Sequence, residues 1–315
     1  MNNDPINVLV IQPLMDEVTQ RLTKRFKCGF LYAEKNIDTY LHTVGQNVRA
    51  VATRGDVGLD ASIMARLPNL EIIAVFGVGT DAIDLAEARR RNIIVTITSD
   101  ILTDDVADLA MGLVLATSRQ IVFQDTFARS GQWSLSAPLL GHKVSGKKLG
   151  ILGLGKIGSA IARRARAFDM QVGYCDRSST VHADYQRFDN IHALADFSDF
   201  LVLSLPGGGA NSGTIDKRVF ESLGADGTLI NIARGSLVNE NDLVDALRNG
   251  TLRGAGLDVY EREPHIPEAL FAMDNVVITP HIASGTIETR QAMADNVFDN
   301  LDSYFTRNVA LTPVN

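Results

Sequence analysis

The sequence predicts an α/β protein with two parallel-sheet domains. Short apolar runs that resemble buried strands, such as residues 8–11 and 72–75, alternate with amphipathic stretches of helical periodicity. The alternation restarts at Lys148 and continues to about Ile278. The chain has 315 residues, which corresponds to about two domains at roughly 150 residues each. Because strand–helix alternation places crossover helices on both faces of a sheet, both sheets are expected to be parallel.

Two long helices are predicted in addition to this alternation. The first covers residues 103–129 and separates the two halves of the chain; Asp104 and Asp105 lie in its first turn, where the positive end of the helix dipole favours acidic side chains. The second covers residues 287–305. The polar segment that follows Arg129 is predicted to be a loop.

Composition and charge exclude several classes of protein. Lys and Arg total 30 against 37 Asp and Glu, so the net charge of −7 leaves no basic excess for nucleic acid. The longest apolar run, residues 109–116, is far shorter than the ~20 residues of a membrane span. Residues 1–5 lack the charged and apolar segments of a signal peptide. Because Cys28 and Cys175 form no disulfide framework, the cytoplasm is the expected compartment.

A dinucleotide-binding motif lies at residues 153–158, which read Gly-Leu-Gly-Lys-Ile-Gly between an apolar strand and a helical pattern. Gly153 permits a tight turn, Gly155 lets a pyrophosphate approach the backbone, and Gly158 allows close packing of helix and strand. Asp176 ends the next apolar run, about 20 residues on, where a ribose-binding acid is expected. The motif therefore predicts a Rossmann-like domain; a glycine-rich structural turn is the alternative.

The residues after that run favour two different cofactors. Asp176 would accept hydrogen bonds from the adenosine 2′-hydroxyl of NAD and repel a 2′-phosphate. Arg177, Ser178 and Ser179 offer a guanidinium and two hydroxyls suited to the 2′-phosphate of NADP, although Arg177 could equally be an exposed loop arginine. From these residues alone, both cofactors stay open.

Arg234, Glu263 and His281 each follow a predicted strand in the second half of the chain. Ligands of open α/β sheets bind at the carboxyl ends of strands, so this set predicts a site for an oxoacid. Arginine holds a carboxylate through two hydrogen bonds, histidine exchanges a proton near neutral pH, and a carboxylate stabilises the imidazolium. Considered one at a time, Arg234 could be a solvated turn arginine, Glu263 a surface acid and His281 a buried core histidine. No His or Cys lies at ligand spacing from His281, so no metal site is predicted.

The order and spacing of these motifs resemble the D-isomer-specific 2-hydroxyacid dehydrogenases over essentially the whole chain. Within that family, the resemblance is greatest to the glyoxylate/hydroxypyruvate and hydroxyphenylpyruvate reductases. The segments that carry it are residues 76–84, 102–108, 153–158, 231–235, 256–264, 279–284 and 285–290.

The resemblance implies two Rossmann-like/flavodoxin-like domains with an active-site cleft between them. Residues 1–98 plus 287–315 would form a discontinuous substrate domain, and residues 99–286 would form the NAD(P)-binding domain. The resemblance also implies a homodimer built on the helix from Thr103 and the arm that follows it. Trp133 in that arm would either reach the neighbouring subunit's site or pack within the dimer interface.

The implied reaction is NAD(P)H-dependent reduction of glyoxylate, hydroxypyruvate or an aryl pyruvate to the D-2-hydroxy acid. Arg234 would clamp the substrate, His281 would protonate the developing alkoxide, and Glu263 would orient His281. The alternative function is a dinucleotide-sensing, corepressor-like binding module. The implied substrate-binding residues are Val78, Gly79 and Arg54, although Arg54 could equally be an ordinary loop arginine.

Residues 206–211 depart from the Pro-x-Thr-x-Glu-Thr loop common in NAD-linked members of the family, and with Arg177 and Ser178 they favour NADPH over NADH. Asp258 resembles the family residue near the nicotinamide carboxamide. The implied cofactor-binding residues are Gly153, Gly155, Lys156, Ile157, Gly158, Asp176, Arg177, Ser178, Pro206, Ile232, Ala233, Asp258 and Ser284.

Overall fold

The computed structural model describes residues 7–178 and 183–314. The N-terminal residues considered above for a signal peptide, and Ser179, lie outside the described residues. The chain forms two compact units: a first unit of Met1–Leu102 with Thr286–Asn315, and a second unit of Thr103–Gly285.

The first unit contains a five-stranded sheet in which every pairing is parallel. The strand order β2-β1-β3-β4-β5 is that of flavodoxin-like folds. The central strands β3 and β4 are buried along almost their whole length, which explains their continuous apolar sequence. The strands are β1 (Asn7–Val10), β2 (Lys27–Phe30), β3 (Val48–Arg54), β4 (Ile72–Phe76) and β5 (Ile94–Thr96). The helices are α1 (Asp16–Arg25), α2 (Ile37–Val44), α3 (Ala61–Ala65), α4 (Leu85–Arg90) and, from the end of the chain, α11 (Ile287–Arg307).

The second unit contains a seven-stranded parallel sheet of order β12-β11-β10-β9-β6-β7-β8. Counted from β6, this is the Rossmann order with one strand added, and the order reverses between β6 and β9. The strands are β6 (Lys148–Leu152), β7 (Gln171–Cys175), β8 (Gln186–Arg187), β9 (Phe200–Leu203), β10 (Thr228–Asn231), β11 (Gly254–Leu257) and β12 (Val276–Ile278). The helices are α5 (Thr103–Ser118), α6 (Ile121–Arg129), α7 (Lys156–Arg166), α8 (Ile191–Phe197), α9 (Lys217–Leu223) and α10 (Glu240–Arg248). The predicted α/β class with two parallel-sheet domains is confirmed.

The prediction of one continuous helix over residues 103–129 is wrong. The helix ends at Ser118 and a second begins at Ile121, with a bend of 58° between them. Gln120 adopts a left-handed conformation with φ of 50°, and the N–H of His142 donates to the carbonyl of Ser118 at 2.7 Å. The loop that returns past the break therefore takes a carbonyl that a continuous helix would use, a contact that apolar periodicity does not reveal.

Among the described residues, no single helix is long and apolar enough to cross a bilayer. The α5 and α6 helices satisfy the criteria of length and composition only when they are taken together across their bend.

Candidate active site

The glycine-rich turn lies between β6 and α7, where the strand order of the second unit reverses. Gly153 has φ of 95°, a conformation that favours glycine. A Cβ on Gly158 would lie 2.2 Å from the carbonyl oxygen of Gly153, so only glycine lets α7 approach the turn this closely. A Cβ on Gly155 would meet no atom within 4 Å, which leaves open space at the N-terminus of α7. These residues therefore fit the pyrophosphate of a dinucleotide, and Lys156 and Ile157 form the first turn of α7 beside it.

Asp176 follows β7, and its carboxylate links the glycine-rich turn to the turn after β7. One carboxylate oxygen accepts from the N–H of Leu154 at 2.6 Å, and the other accepts from the N–H of Ser178 at 2.7 Å. The carboxylate is half-buried, whereas Arg177 and Ser178 are exposed. Each carboxylate oxygen can accept a second hydrogen bond, so Asp176 fits a ribose hydroxyl while Arg177 and Ser178 fit a phosphate.

The other predicted cofactor residues also follow strands of the second unit. Pro206 follows β9 and accepts a hydrogen bond from Asn211 at 3.0 Å through its carbonyl oxygen. Ile232 and Ala233 are buried directly after β10, and Ser284 is half-buried in the segment after β12. All of these positions lie at the carboxyl edge of one sheet, as dinucleotide sites of this fold require.

The structure brings Glu263 and His281 into direct contact. They follow the neighbouring strands β11 and β12, and His281 Nδ1 lies 2.6 Å from Glu263 Oε2. Burial alone would raise the pKa of Glu263, but the hydrogen bond and charge of His281, the N–H of Tyr260 and the charge of Arg234 together hold that pKa below its usual value. Glu263 is therefore ionised at neutral pH. Because an ionised carboxylate only accepts hydrogen bonds, Nδ1 of His281 carries a proton and Nε2 is the nitrogen that remains for proton exchange.

Arg234 follows β10, the strand beside β11, and its loop packs against the segment that carries Glu263. A Cβ on Gly235 would lie 1.8 Å from the carbonyl carbon of Tyr260, so the two segments are in backbone contact. A Cβ on Gly207 would lie 2.7 Å from Cγ of Arg234, so the arginine stem runs along the predicted cofactor loop. The guanidinium also donates to the carbonyl of Ala233 at 2.6 Å.

Asp258 has a structural task that sequence reasoning missed. It is fully buried, and its carboxylate accepts from the Thr279 hydroxyl at 2.6 Å and from the N–H groups of Ile282 and Ala283 at 2.9 Å each. His281 between these donors has φ of 52°, and its N–H donates to the Asp258 carbonyl at 2.8 Å. Burial raises the pKa of Asp258, although these donors and the charge of His281 oppose that rise. Asp258 thus holds His281 in a conformation that few non-glycine residues adopt.

Tyr260 and Glu240 complete the support of this site. The Tyr260 hydroxyl lies 3.1 Å from the carbonyl oxygen of Leu257 and 2.9 Å from that of Thr279, so it bridges the ends of β11 and β12. Glu240 accepts from the N–H of Glu261 at 2.8 Å. The sequence signal for both residues was weak, because a tyrosine and an acid near charged residues are common at surfaces.

The predicted substrate-binding residues lie together at the carboxyl edge of the first unit's sheet. Arg54 ends β3, while Val78 and Gly79 follow β4 and are half-buried. A Cβ on Gly55 would lie 2.8 Å from the carbonyl oxygen of Gly79, so the two loops are in close contact. Asp56, which the sequence did not single out, forms an ion pair with the Arg54 guanidinium through two of its nitrogens.

Comparisons with known proteins agree with this fold. Residues 111–283 match the family model described as D-isomer specific 2-hydroxyacid dehydrogenase, NAD binding domain. Glyoxylate/hydroxypyruvate reductase A HPR2 of Arabidopsis thaliana is 44% identical to the chain over 311 residues, 99% of each sequence. The chain belongs to the D-isomer-specific 2-hydroxyacid dehydrogenase family. It is therefore an oxidoreductase with a nicotinamide-dinucleotide domain.

Other relatives of this dehydrogenase have related names. The 2-ketogluconate reductase of Gluconobacter oxydans is 43% identical and aligns over 100% of both chains. An NADPH-dependent glyoxylate/hydroxypyruvate reductase from Sinorhizobium meliloti, solved with NADP and malonate, has a TM-score of 0.92 at 38% identity and covers 99% of this chain and 97% of its own. These relatives are all reductases, so the alternative of a corepressor-like binding module is not supported.

The described residues of this dehydrogenase contain no cluster of three or more His, Cys, Asp or Glu side chains that could hold a metal ion.

Proposed function

We propose that this dehydrogenase reduces a small 2-oxo acid to the D-2-hydroxy acid, with NADPH favoured over NADH. Glyoxylate, hydroxypyruvate and aryl pyruvates are the proposed substrates. The observation that carries the proposal is the His281–Glu263 pair at 2.6 Å, beside Arg234 and at the same sheet edge as the glycine-rich turn. A 2-oxo acid reductase needs a group that donates a proton to the carbonyl oxygen and a cation that binds the substrate carboxylate, and these residues supply both.

In this mechanism the bound nicotinamide supplies a hydride to C2 of the substrate. Arg234 binds the substrate carboxylate and carbonyl oxygens and thereby stabilises the negative charge that develops on the carbonyl. His281 gives the proton on Nε2 to that oxygen, which completes the hydroxyl group. Glu263 stays ionised, orients the ring through Nδ1 and stabilises the imidazolium that donates the proton.

Support for NADPH comes from the turn after β7. Asp176 directs its carboxylate to two backbone N–H groups, while Arg177 and Ser178 stand exposed next to it. The reductase from Sinorhizobium meliloti is NADPH-dependent, which agrees with this preference. The cofactor would be held by the glycine-rich turn and by the strand-end residues described above, and the N–H groups of Val78 and Gly79, with Arg54, are proposed to bind the substrate carboxylate.

The test is oxidation of NADPH and of NADH with glyoxylate, hydroxypyruvate and phenylpyruvate. His281→Ala is expected to lose most turnover while still binding NADPH, because the proton donor is removed and the dinucleotide turn is intact. His42→Ala, at an exposed position of α2, is the matched control and should keep wild-type turnover. Wild-type turnover in His281→Ala, or no oxidation with any substrate in wild-type protein, would overturn the assignment.

We further propose that the protein is a homodimer joined through α6 and the arm after it. None of the residues of α6 is buried, and the exposed fractions of Val122, Trp133, Leu135 and Leu140 are 56%, 70%, 77% and 91%. Apolar side chains this exposed in one continuous segment favour coverage by a second copy. Light scattering of Leu140→Glu should give the mass of a monomer if the proposal holds, and an unchanged dimer mass would contradict it.

Two finer points belong to the same proposal. Trp133 either packs within this dimer interface or reaches the partner's site. Trp133→Ala should lose the dimer mass in the first case and should raise only the substrate KM in the second. The cytoplasm is the proposed compartment, supported by a composition with only two cysteines.

A further inference from the structure

The edge strand β8 brings a second arginine to the turn that carries Arg177. This strand has two residues and pairs in parallel with β7, with Arg187 opposite Tyr174. The N–H of Phe188 donates to the carbonyl of Tyr174 at 2.8 Å and fixes that register. The side chain of Arg187 therefore starts beside the last residues of β7, from which the Asp176 turn follows.

Arg187 holds this turn through its carbonyl groups. One guanidinium nitrogen donates to the carbonyl of Ser178 at 2.9 Å and to that of Asp176 at 3.3 Å. The Asp176 carboxylate meanwhile accepts from the N–H of Ser178 at 2.7 Å. The turn is thus fixed from two directions, by an anion on its amide group and by a cation on its carbonyl groups. Nothing in the sequence motif required this second contact, because Arg187 lies nine or more residues beyond the turn.

Arg187 also balances the local charge. Asp176 and Asp189 raise the pKa of the Cys175 thiol, which burial raises most, while the positive charge of Arg187 acts in the opposite direction. The charge of Arg187 therefore acts at the end of β7, on the same region as those two acids. Loss of Arg187 would remove one positive charge from this region and make it less favourable for an incoming phosphate group.

We propose that Arg187 is a specificity-determining residue for the adenosine 2′-phosphate of NADPH. It positions the Asp176–Ser178 turn and offsets the acidic charge that would otherwise repel the phosphate. This inference rests on the NADPH preference proposed above. It predicts that loss of Arg187 weakens binding of ligands with a 2′-phosphate and has little effect on ligands without one.

The experiment measures binding of adenosine 2′,5′-bisphosphate and of AMP by calorimetry, in wild-type protein and in Arg187→Ala, Arg187→Lys and Arg248→Gln. Arg187→Ala should bind the bisphosphate about tenfold more weakly, because the turn loses its cationic support and the region loses one positive charge, and should bind AMP within about twofold of wild type. Arg187→Lys should lose about threefold, because lysine keeps the positive charge but holds the two carbonyl groups with a more flexible side chain. Arg248, an exposed arginine at the end of α10, is the control and should behave as wild type.

Steady-state kinetics provide the second readout, in which Arg187→Ala should raise KM for NADPH and leave kcat at saturating NADPH unchanged. An equal loss of affinity for both adenosine ligands in Arg187→Ala would assign Arg187 a general structural role and overturn the inference. The inference would also fail if Arg187→Ala kept the wild-type ratio of the two affinities. If wild-type protein discriminates between the two ligands but reduces no 2-oxo acid, only the proposed reaction fails. If wild-type protein binds the bisphosphate no more tightly than AMP, the NADPH preference and the role of Arg187 fail together.

Discussion

Substitution by alanine should affect two glycines of the dinucleotide turn differently: one in stability, the other in cofactor binding. At Gly158 the new Cβ would lie 2.2 Å from the carbonyl oxygen of Gly153, about 1.2 Å short of the 3.4 Å at which ordinary contact begins. Because the obstacle is backbone, α7 or the turn has to move. Overpacking of this kind costs about 1–3 kcal/mol, and each kcal/mol lowers Tm by about 2–4 °C in a unit of this size.

Gly155→Ala should leave the fold intact and remove cofactor binding. Gly155 has φ of −73° and ψ of −158°, an extended conformation open to alanine, and its Cβ would meet no protein atom within 4 Å. Alanine lowers the conformational entropy of the unfolded chain and thereby stabilises the fold by about 0.4–1 kcal/mol. This roughly offsets the destabilisation that arises because alanine is a poorer N-cap than glycine. The methyl group would occupy the space that the pyrophosphate needs, so Kd for NADPH should rise at least tenfold, about 1.4 kcal/mol.

The assay is thermal unfolding by circular dichroism together with NADPH binding by calorimetry on both variants. Gly155→Ala should melt within about 2 °C of wild type and bind NADPH poorly, whereas Gly158→Ala should melt several degrees lower. Wild-type affinity in Gly155→Ala would refute the placement of the pyrophosphate. A wild-type Tm in Gly158→Ala would refute the steric argument.

Four further predictions concern the support of His281. Glu263→Gln should lower kcat/KM about tenfold at neutral pH in steady-state assays, the size of one partly exposed charge-assisted contact, while Glu261→Gln should not. The pKa of Glu263 is lowered in the folded chain, so its ionised form stabilises the fold above about pH 4.3, the pKa in the unfolded chain. This stabilisation is lost as the pH falls through the lower pKa of the folded chain. In denaturant titrations from neutral to acid pH, the free energy of unfolding should therefore fall less in Glu263→Gln than in wild type. Tyr260→Phe should cost about 1 kcal/mol in denaturant titrations, because the phenol joins two strand ends, and no loss would refute that role. Asp258→Ala should cost about 3 kcal/mol or more, since three donors lose their acceptor, and a stability equal to that of wild type would show that other groups satisfy them.

Local sequence was sufficient to predict those elements whose structure depends only on residues close together in the chain. The turn at residues 153–158 is of this kind, because glycine at three positions serves three separate steric needs. The predicted helix over residues 103–129 failed because its break depends on His142, which returns from a loop more than twenty residues away from Ser118.

The candidate site shows the same division. Arg234, Glu263 and His281 were predictable as strand-end residues, since the strands themselves have clear apolar patterns. The left-handed conformation of His281 was not predictable, because Asp258, which follows β11, imposes it through donors in the segment after β12. Arg187 was missed for a similar reason: its role depends on a two-residue edge strand too short to have any periodicity.

The alternating α/β architecture, the dinucleotide turn and the residue types of the candidate site could all be predicted from the chain alone. These follow from periodicity, glycine sterics and side-chain chemistry, which act over a few residues. Three contacts required the folded structure: Glu263 binds Nδ1 of His281, Asp258 holds the loop of His281, and Arg187 fixes the turn after β7. Each of these contacts joins residues that lie on or after different strands, and their distances are set by strand register and burial rather than by spacing along the chain.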